Sequence, residues 1–133
     1  MTQAAWCAAG LPDDPVEAIG RIGGGWIAEE ALGIAVYCAL TARDFADGVI
    51  RAVNHGGDSD STGSITGNIL GALWGAEAIP SSFLEPLELR GVITELAEDL
   101  AAFMEWDIGE YDDVGAEPDR ALQERVWQKY PGR

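Results

Sequence analysis

Between Asn54 and Gly63 the chain runs Asn-His-Gly-Gly-Asp-Ser-Asp-Ser-Thr-Gly, and no other segment gathers as many groups capable of chemistry. Asp58 and Asp60 stand one residue apart, hydroxyls follow at Ser59, Ser61 and Thr62, and Gly56-Gly57 gives the backbone freedom to bend in front of them. Several hard oxygen donors within a few residues suit Mg²⁺, Mn²⁺ or Ca²⁺, whereas Zn²⁺ or copper would ask for imidazole or thiolate. An aspartate at a helix start also has a plainer task, which is to accept hydrogen bonds from the first free amides. One cap accounts for one aspartate, so the pair points to a metal. His55, the only histidine, adjoins the pair and is read as a hydrogen-bonding neighbour rather than a catalytic group.

Two familiar patterns share these letters and fail elsewhere. A calcium-binding EF-hand loop starting at Asp58 would find acceptable residues at Asp60, Thr62 and Gly63, but its twelfth position, which needs a bidentate glutamate, is Ile69. The Asp-x-Asp-x-Thr of haloacid-dehalogenase-like phosphatases ends a buried parallel strand. Here the preceding residues 50–54 have a helical pattern and no strand–helix alternation occurs anywhere.

The elements that must position these residues are helical. Pro15 to Arg21 predicts a short helix that Gly23-Gly24-Gly25 stops. From Trp26 to Ala42, Ile27, Ala31, Ile34, Ala35 and Cys38 recur at helical spacing, with Glu29 and Glu30 in the first turn where the helix dipole favours acids. Asp44 is an N-cap with Asp47 three residues on, and this capping-box-like pair opens a helix that runs to Asn54. The next helix begins near Asp60 or Ser61 and runs to Gly75, with Gly63, Gly67, Gly71 and Gly75 on one face. Four interior glycines, each costing about 1 kcal/mol against alanine, predict close approach of another backbone along that face. Beyond Pro80, Leu89, Val92, Ile93, Leu96, Leu100 and Phe103 form an apolar stripe opposite Glu95, Glu98 and Asp99. Residues 107–119 form an acidic loop, and Asp119 to Tyr130 a last helix. Trp26, Trp74, Trp106 and Trp127 are expected to pack rather than to stack on a base.

Composition narrows the partners. The net charge is -15, with 14 acids against 5 bases in residues 76–133 and 9 against 3 in residues 1–75. Such a surface repels phosphate backbones and anionic membranes, so neither nucleic acid nor a membrane is expected as a partner. The most apolar stretch, Ile65 to Ile79, is interrupted by Asn68 and Glu77 and falls short of the roughly 20 residues a bilayer requires. No basic residue precedes the apolar N-terminal residues, so no signal peptide is expected, and Cys7 and Cys38 match no redox or metal spacing. Reduced, buried thiols and a cytoplasmic setting follow as expectations.

Gly56-Gly57-Asp58-Ser59-Asp60-Ser61 resembles, position by position, the Gly-Gly-Asp-[Ser/Thr]-Asp-[Ser/Thr] motif near the C-terminal end of ADP-ribosylglycohydrolases. The glycine-rich helix up to Gly75, the Ala78-Ile79-Pro80 after it, and the upstream Gly25-Trp26-Ile27-Ala28-Glu29-Glu30-Ala31-Leu32 are similar to that family too. The resemblance covers about residues 15–103. It implies an all-α fold, an orthogonal helical bundle like the C-terminal part of that family's domain, with residues 1–133 as one partial domain ending in an acidic loop and terminal helix over 107–133. It further implies a two-metal centre of Mg²⁺ or Mn²⁺ to which Asp58, Asp60 and Ser61 contribute, and hydrolysis of the glycosidic bond between ADP-ribose and a modified protein or small acceptor. Ser61 stands where threonine is common, which keeps the oxygen. The family's N-terminal Gly-Asp-Ala-x-Gly-like and Thr-Asp-Asp-Thr-like segments are not matched, since Asp13-Asp14 lies between Pro12 and Pro15 and Asp112-Asp113 lies in the acidic loop. The general acid or base therefore has no candidate. A partner chain with the missing half, or self-association, is expected, and a non-catalytic metal- or ADP-ribose-binding module is the alternative.

Overall fold

The computed structural model describes residues 14–106 and 119–132, and among them helices alternate with turns and no strand occurs. The protein is all-α. The helices are α1 (Pro15–Ile22), α2 (Ala28–Thr41), α3 (Phe45–Val53), α4 (Ser59–Trp74), the single turn α5 (Ser81–Leu84), α6 (Arg90–Ala102) and α7 (Arg120–Lys129), with short 3₁₀ turns at Ala76–Ala78 and Phe103–Glu105. No helix among the described residues is long and apolar enough to cross a membrane. The chain divides into two compact units, residues 1–86 and 87–133.

In the first unit α1 and α3 start where a side chain caps them. Asp14 Oδ1 accepts from Val16 N at 3.3 Å and Pro15 occupies the first helical position of α1. Asp44 Oδ1 accepts from Asp47 N at 2.8 Å to open α3. The return bond of a capping box is displaced by one residue, because Asp47 Oδ2 accepts from Arg43 N at 3.0 Å rather than from the amide of the cap itself. Asp47 also pairs with the guanidinium groups of Arg43 at 2.8 Å and Arg51 at 2.9 Å. The Arg43 hydrogen bond, followed by those of Arg51, holds its carboxyl well below the usual carboxylate range.

Helix α4 is the middle of this unit and packs on both α2 and α3. Ala18, Ile19, Ile34, Tyr37, Cys38 and Ala52 form one buried cluster, and Ala39, Phe45 and Leu70 a second, flanked by Val49, Ile69 and Phe83. Gly48 lets α3 approach α4 closely, since a Cβ there would lie 2.5 Å from Leu70 Cδ1. Cys38 is buried as expected, and burial pushes its thiol up to about 11; Cys7 lies outside the described residues. Along the glycine face of α4 only the first position is closely approached. A Cβ at Gly63 would meet Val53 Cγ1 at 2.6 Å, but at Gly67, Gly71 and Gly75 it would meet nothing within 4 Å.

The second unit is α6 and α7. Asp119 Oδ1 caps α7 by accepting from Ala121 N at 3.0 Å and Leu122 N at 3.1 Å. Glu95 and Asp99 do not simply face solvent: Lys129 Nζ lies 2.5 Å from a carboxylate oxygen of each, and the Tyr130 hydroxyl donates to Asp99. The apolar stripe of α6 exists but is not buried, with Leu100 74% exposed. Its members Leu96, Leu100 and Phe103 line an open hollow with Trp106, Val126 and Trp127.

Candidate metal centre

Two glycine runs 30 residues apart in sequence form one junction at the start of α4. The loop 23–25 lies against the loop 56–58, with Asp58 N donating to Gly24 O at 2.8 Å. The approach leaves no room for a side chain, because a Cβ at Gly57 would sit 1.8 Å from Gly24 O. Gly25 has φ +79, a left-handed conformation, and a Cβ on it would press Thr62 Cγ2 at 2.9 Å. Glu30, from the first turn of α2, folds back under the loop: its Oε2 accepts from Gly24 N at 3.0 Å and Gly25 N at 3.1 Å. Glu30 is thus not merely a favourable charge at a helix start.

On the other side, His55 and Thr62 tie the turn to the helix core. His55 Nδ1 accepts from Gly57 N at 3.1 Å, so in the neutral ring Nε2 carries the proton and donates to Thr62 Oγ1 at 2.9 Å. The Thr62 hydroxyl then has one proton to give, and Ala52 O at 2.7 Å is its nearest acceptor. Thr62 is completely buried, and the chain Gly57–His55–Thr62–Ala52 joins the glycine turn to the end of α3. Ser59 turns its hydroxyl back to His55 O at 3.2 Å.

Helix α4 begins at Ser59, one or two residues earlier than its sequence suggests, and Asp58 occupies the N-cap position. Its side chain makes no capping hydrogen bond there. Asp60 Oδ1 accepts from Ser61 N at 2.9 Å, so this aspartate serves one orphan amide, and the neighbouring Asp58 side chain, with that amide, holds the Asp60 carboxyl below the usual carboxylate range. The two carboxylates stand at the N-cap and in the first turn of α4, where both offer oxygens to a cation. The donor set is nevertheless small, since no group of three histidine, cysteine, aspartate or glutamate side chains converges among the described residues. Asp14 caps α1; Asp13, Asp112 and Asp113 lie outside the described residues.

Trp26 follows directly on Gly25 and is 72% exposed, contrary to the packing role expected of it. Its ring lies over the glycine loop, for a Cβ at Gly24 would stand 2.7 Å from Trp26 Cδ1. Trp127 is exposed as well, and Trp106 packs edge-to-face on Phe103 with centroids 6.0 Å apart.

A helical domain whose paired aspartates stand at the mouth of a glycine-rich helix matches the ADP-ribosylglycohydrolase family over residues 1–108, and the chain belongs to that family. A protein of Archaeoglobus fulgidus is 37% identical over 91 residues, which are 68% of this chain and 29% of that protein. The ADP-ribosylarginine hydrolase Tri1 of Serratia proteamaculans is 37% identical over 71 residues, 53% of this chain and 19% of its own. The ADP-ribosyl-[dinitrogen reductase] glycohydrolase of Rhodospirillum rubrum is 41% identical over 46 residues, 35% of this chain and 16% of its own. The chain thus spans less than a third of the length of the curated relatives it matches. No solved structure matches.

Proposed function

We propose that this chain supplies one half of the divalent-metal centre of an ADP-ribosylglycohydrolase, and that the completed centre hydrolyses the glycosidic bond between ADP-ribose and a modified protein or small acceptor. The observation that carries this reading is the placement of Asp58 and Asp60 together at the N-terminus of α4, where the Asp58 side chain makes no capping hydrogen bond. Asp58, Asp60 and Ser61 would hold Mg²⁺ or Mn²⁺, and the bound ion would supply a Lewis acid for the hydroxyls of the ribose. The protein's own share is positional. The glycine junction fixes the backbone that carries Asp58, the His55–Thr62 chain keeps the first turn of α4 in place, and the exposed Trp26 ring over the glycine loop offers a flat apolar face for an aromatic part of the substrate. No residue here is assigned as general acid or base.

The remaining ligands come from elsewhere in the domain. An apolar groove between α2 and α4, lined by Val36, Ala39, Leu40, Ile69, Ala72 and Leu73, fits the packing of further helices of the same domain or of a second copy. The convergence of only two acids among the described residues favours the second reading, a module that binds metal or ADP-ribose without hydrolysing. Manganese titration followed by electron paramagnetic resonance separates these from a structural pair. Weak binding that Asp60→Ala abolishes is expected, and binding unchanged in Asp60→Ala removes the site from these residues. Release of ADP-ribose from a modified protein only when the remainder of a family domain is added favours the hydrolase; none under either condition favours the module.

A further inference from the structure

The geometry points to Glu30 as a positioning residue for Asp58, acting through the single peptide group that joins Gly24 to Gly25. The C=O of that peptide accepts from Asp58 N at 2.8 Å, and its N–H donates to Glu30 Oε2 at 3.1 Å. The three groups lie in series, Asp58 N–H to the Gly24 carbonyl, then Gly25 N–H to carboxylate. A charge on the acceptor at one end polarises the peptide and strengthens the bond at the other, by about 10–30% per bond in condensed-phase estimates. The same Oε2 also takes Gly24 N at 3.0 Å, so one oxygen orients two successive peptides.

The surrounding glycines exist to let this happen. A Cβ at Gly23 would lie 2.3 Å from Glu30 Cδ and would push the carboxylate out from under the loop, and a Cβ at Gly57 would separate the two loops altogether. Glu29, the preceding residue in the same helical turn, is exposed and makes no such contact with the loop. Asp58 has no side-chain cap bond, so its backbone bond to Gly24 is what fixes the backbone from which its carboxyl projects. The inference rests on the reading of Asp58 as a metal ligand for its functional consequence, but not for its geometry.

The test therefore has two readouts on the intact chain. In the first, Mn²⁺ is titrated into the wild type, Glu30→Ala, Glu30→Gln and Glu29→Ala. The expected result is a loss of affinity of about 10-fold or more for Glu30→Ala, as for other groups that orient metal ligands without touching the metal, a smaller loss for Glu30→Gln, which keeps an acceptor oxygen, and none for Glu29→Ala. In the second, without metal, the Asp58 amide proton should move upfield and exchange faster in Glu30→Ala than in the wild type, with helical circular dichroism retained. If the wild type binds no Mn²⁺, the metal reading fails, and a moved Asp58 amide still upholds the positioning role. If Glu30→Ala does not fold, Glu30→Gln carries the amide test alone. An Asp58 amide that stays in place in whichever variant is folded overturns the inference.

Discussion

Thr62 has no role in the sequence beyond that of a hydroxyl near two aspartates, yet it is the residue on which the local structure converges. Its oxygen takes the His55 Nε2 proton and gives its own to Ala52 O, in a place closed to water. Thr62→Val keeps the shape and leaves both partners unsatisfied, so a loss of about 1–3 kcal/mol is expected in urea unfolding; Thr62→Ser should recover most of it. A loss below about 0.5 kcal/mol would mean that water reaches these groups. Asp47 illustrates a residue whose partners are local and whose behaviour is legible, since Arg43 and Arg51 lie four residues to either side. Because its folded-state carboxyl titrates below the unfolded one, the stability it contributes is complete above the ordinary aspartate value of about 3.9 and is lost as the pH falls through the lower folded value. Acid titration of the unfolding free energy should therefore be shallower in Asp47→Asn than in the wild type. Equal slopes would show that the pairing is not maintained in solution.

Among the elements, the helices were legible where a start or stop has its own chemistry: Asp14-Pro15, the glycine triplet, Asp44, Asp119. The start of α4 was not, because Asp58, Ser59, Asp60 and Ser61 all carry oxygens able to cap and only the tertiary bond from Asp58 N to Gly24 selects among them. The Asp58–Asp60 pair stands out in the sequence by type, whereas the Glu30, His55 and Thr62 framework does not, since its bonds join loops and helices that are separate in sequence. The glycines divide in the same way. Spacing alone treats Gly63, Gly67 and Gly71 alike, and the structure separates them: a Cβ at 63 would meet Val53 Cγ1, while alanine at 67 or 71 has open space, and in the glycine junction Gly57→Ala must displace the Gly24 backbone. Gly57→Ala is expected to cost more than 2 kcal/mol. Gly67→Ala and Gly71→Ala should each stabilise the isolated chain by about 0.5–1 kcal/mol through helix propensity. Destabilisation by the latter pair would reveal a packing partner on that face even in the isolated chain.

At the scale of the whole molecule, charge and apolar surface oppose each other. The net charge of -15 drives copies apart, whereas the groove between α2 and α4 carries no charged lining residue and presents Leu40 at 68% and Leu73 at 63% exposure. Burying two leucines against a partner contributes about 3–6 kcal/mol before the cost of immobilisation. Long-range repulsion is damped over about 8 Å at physiological salt, so short-range apolar contact gains as salt rises. Self-association of the isolated chain should therefore be weak in low salt and stronger in 0.5 M NaCl, the reverse of an interface held by ion pairs. Leu40→Glu with Leu73→Glu places two like charges in the groove and should leave the chain monomeric at micromolar concentration under both conditions, with its helical content unchanged because neither side chain belongs to the buried clusters. Sedimentation velocity of wild type and double variant at the two salt concentrations decides it. Association that persists in the variant places the contact elsewhere, and a wild type that is monomeric in high salt shows that the groove awaits the rest of a family domain rather than a second copy.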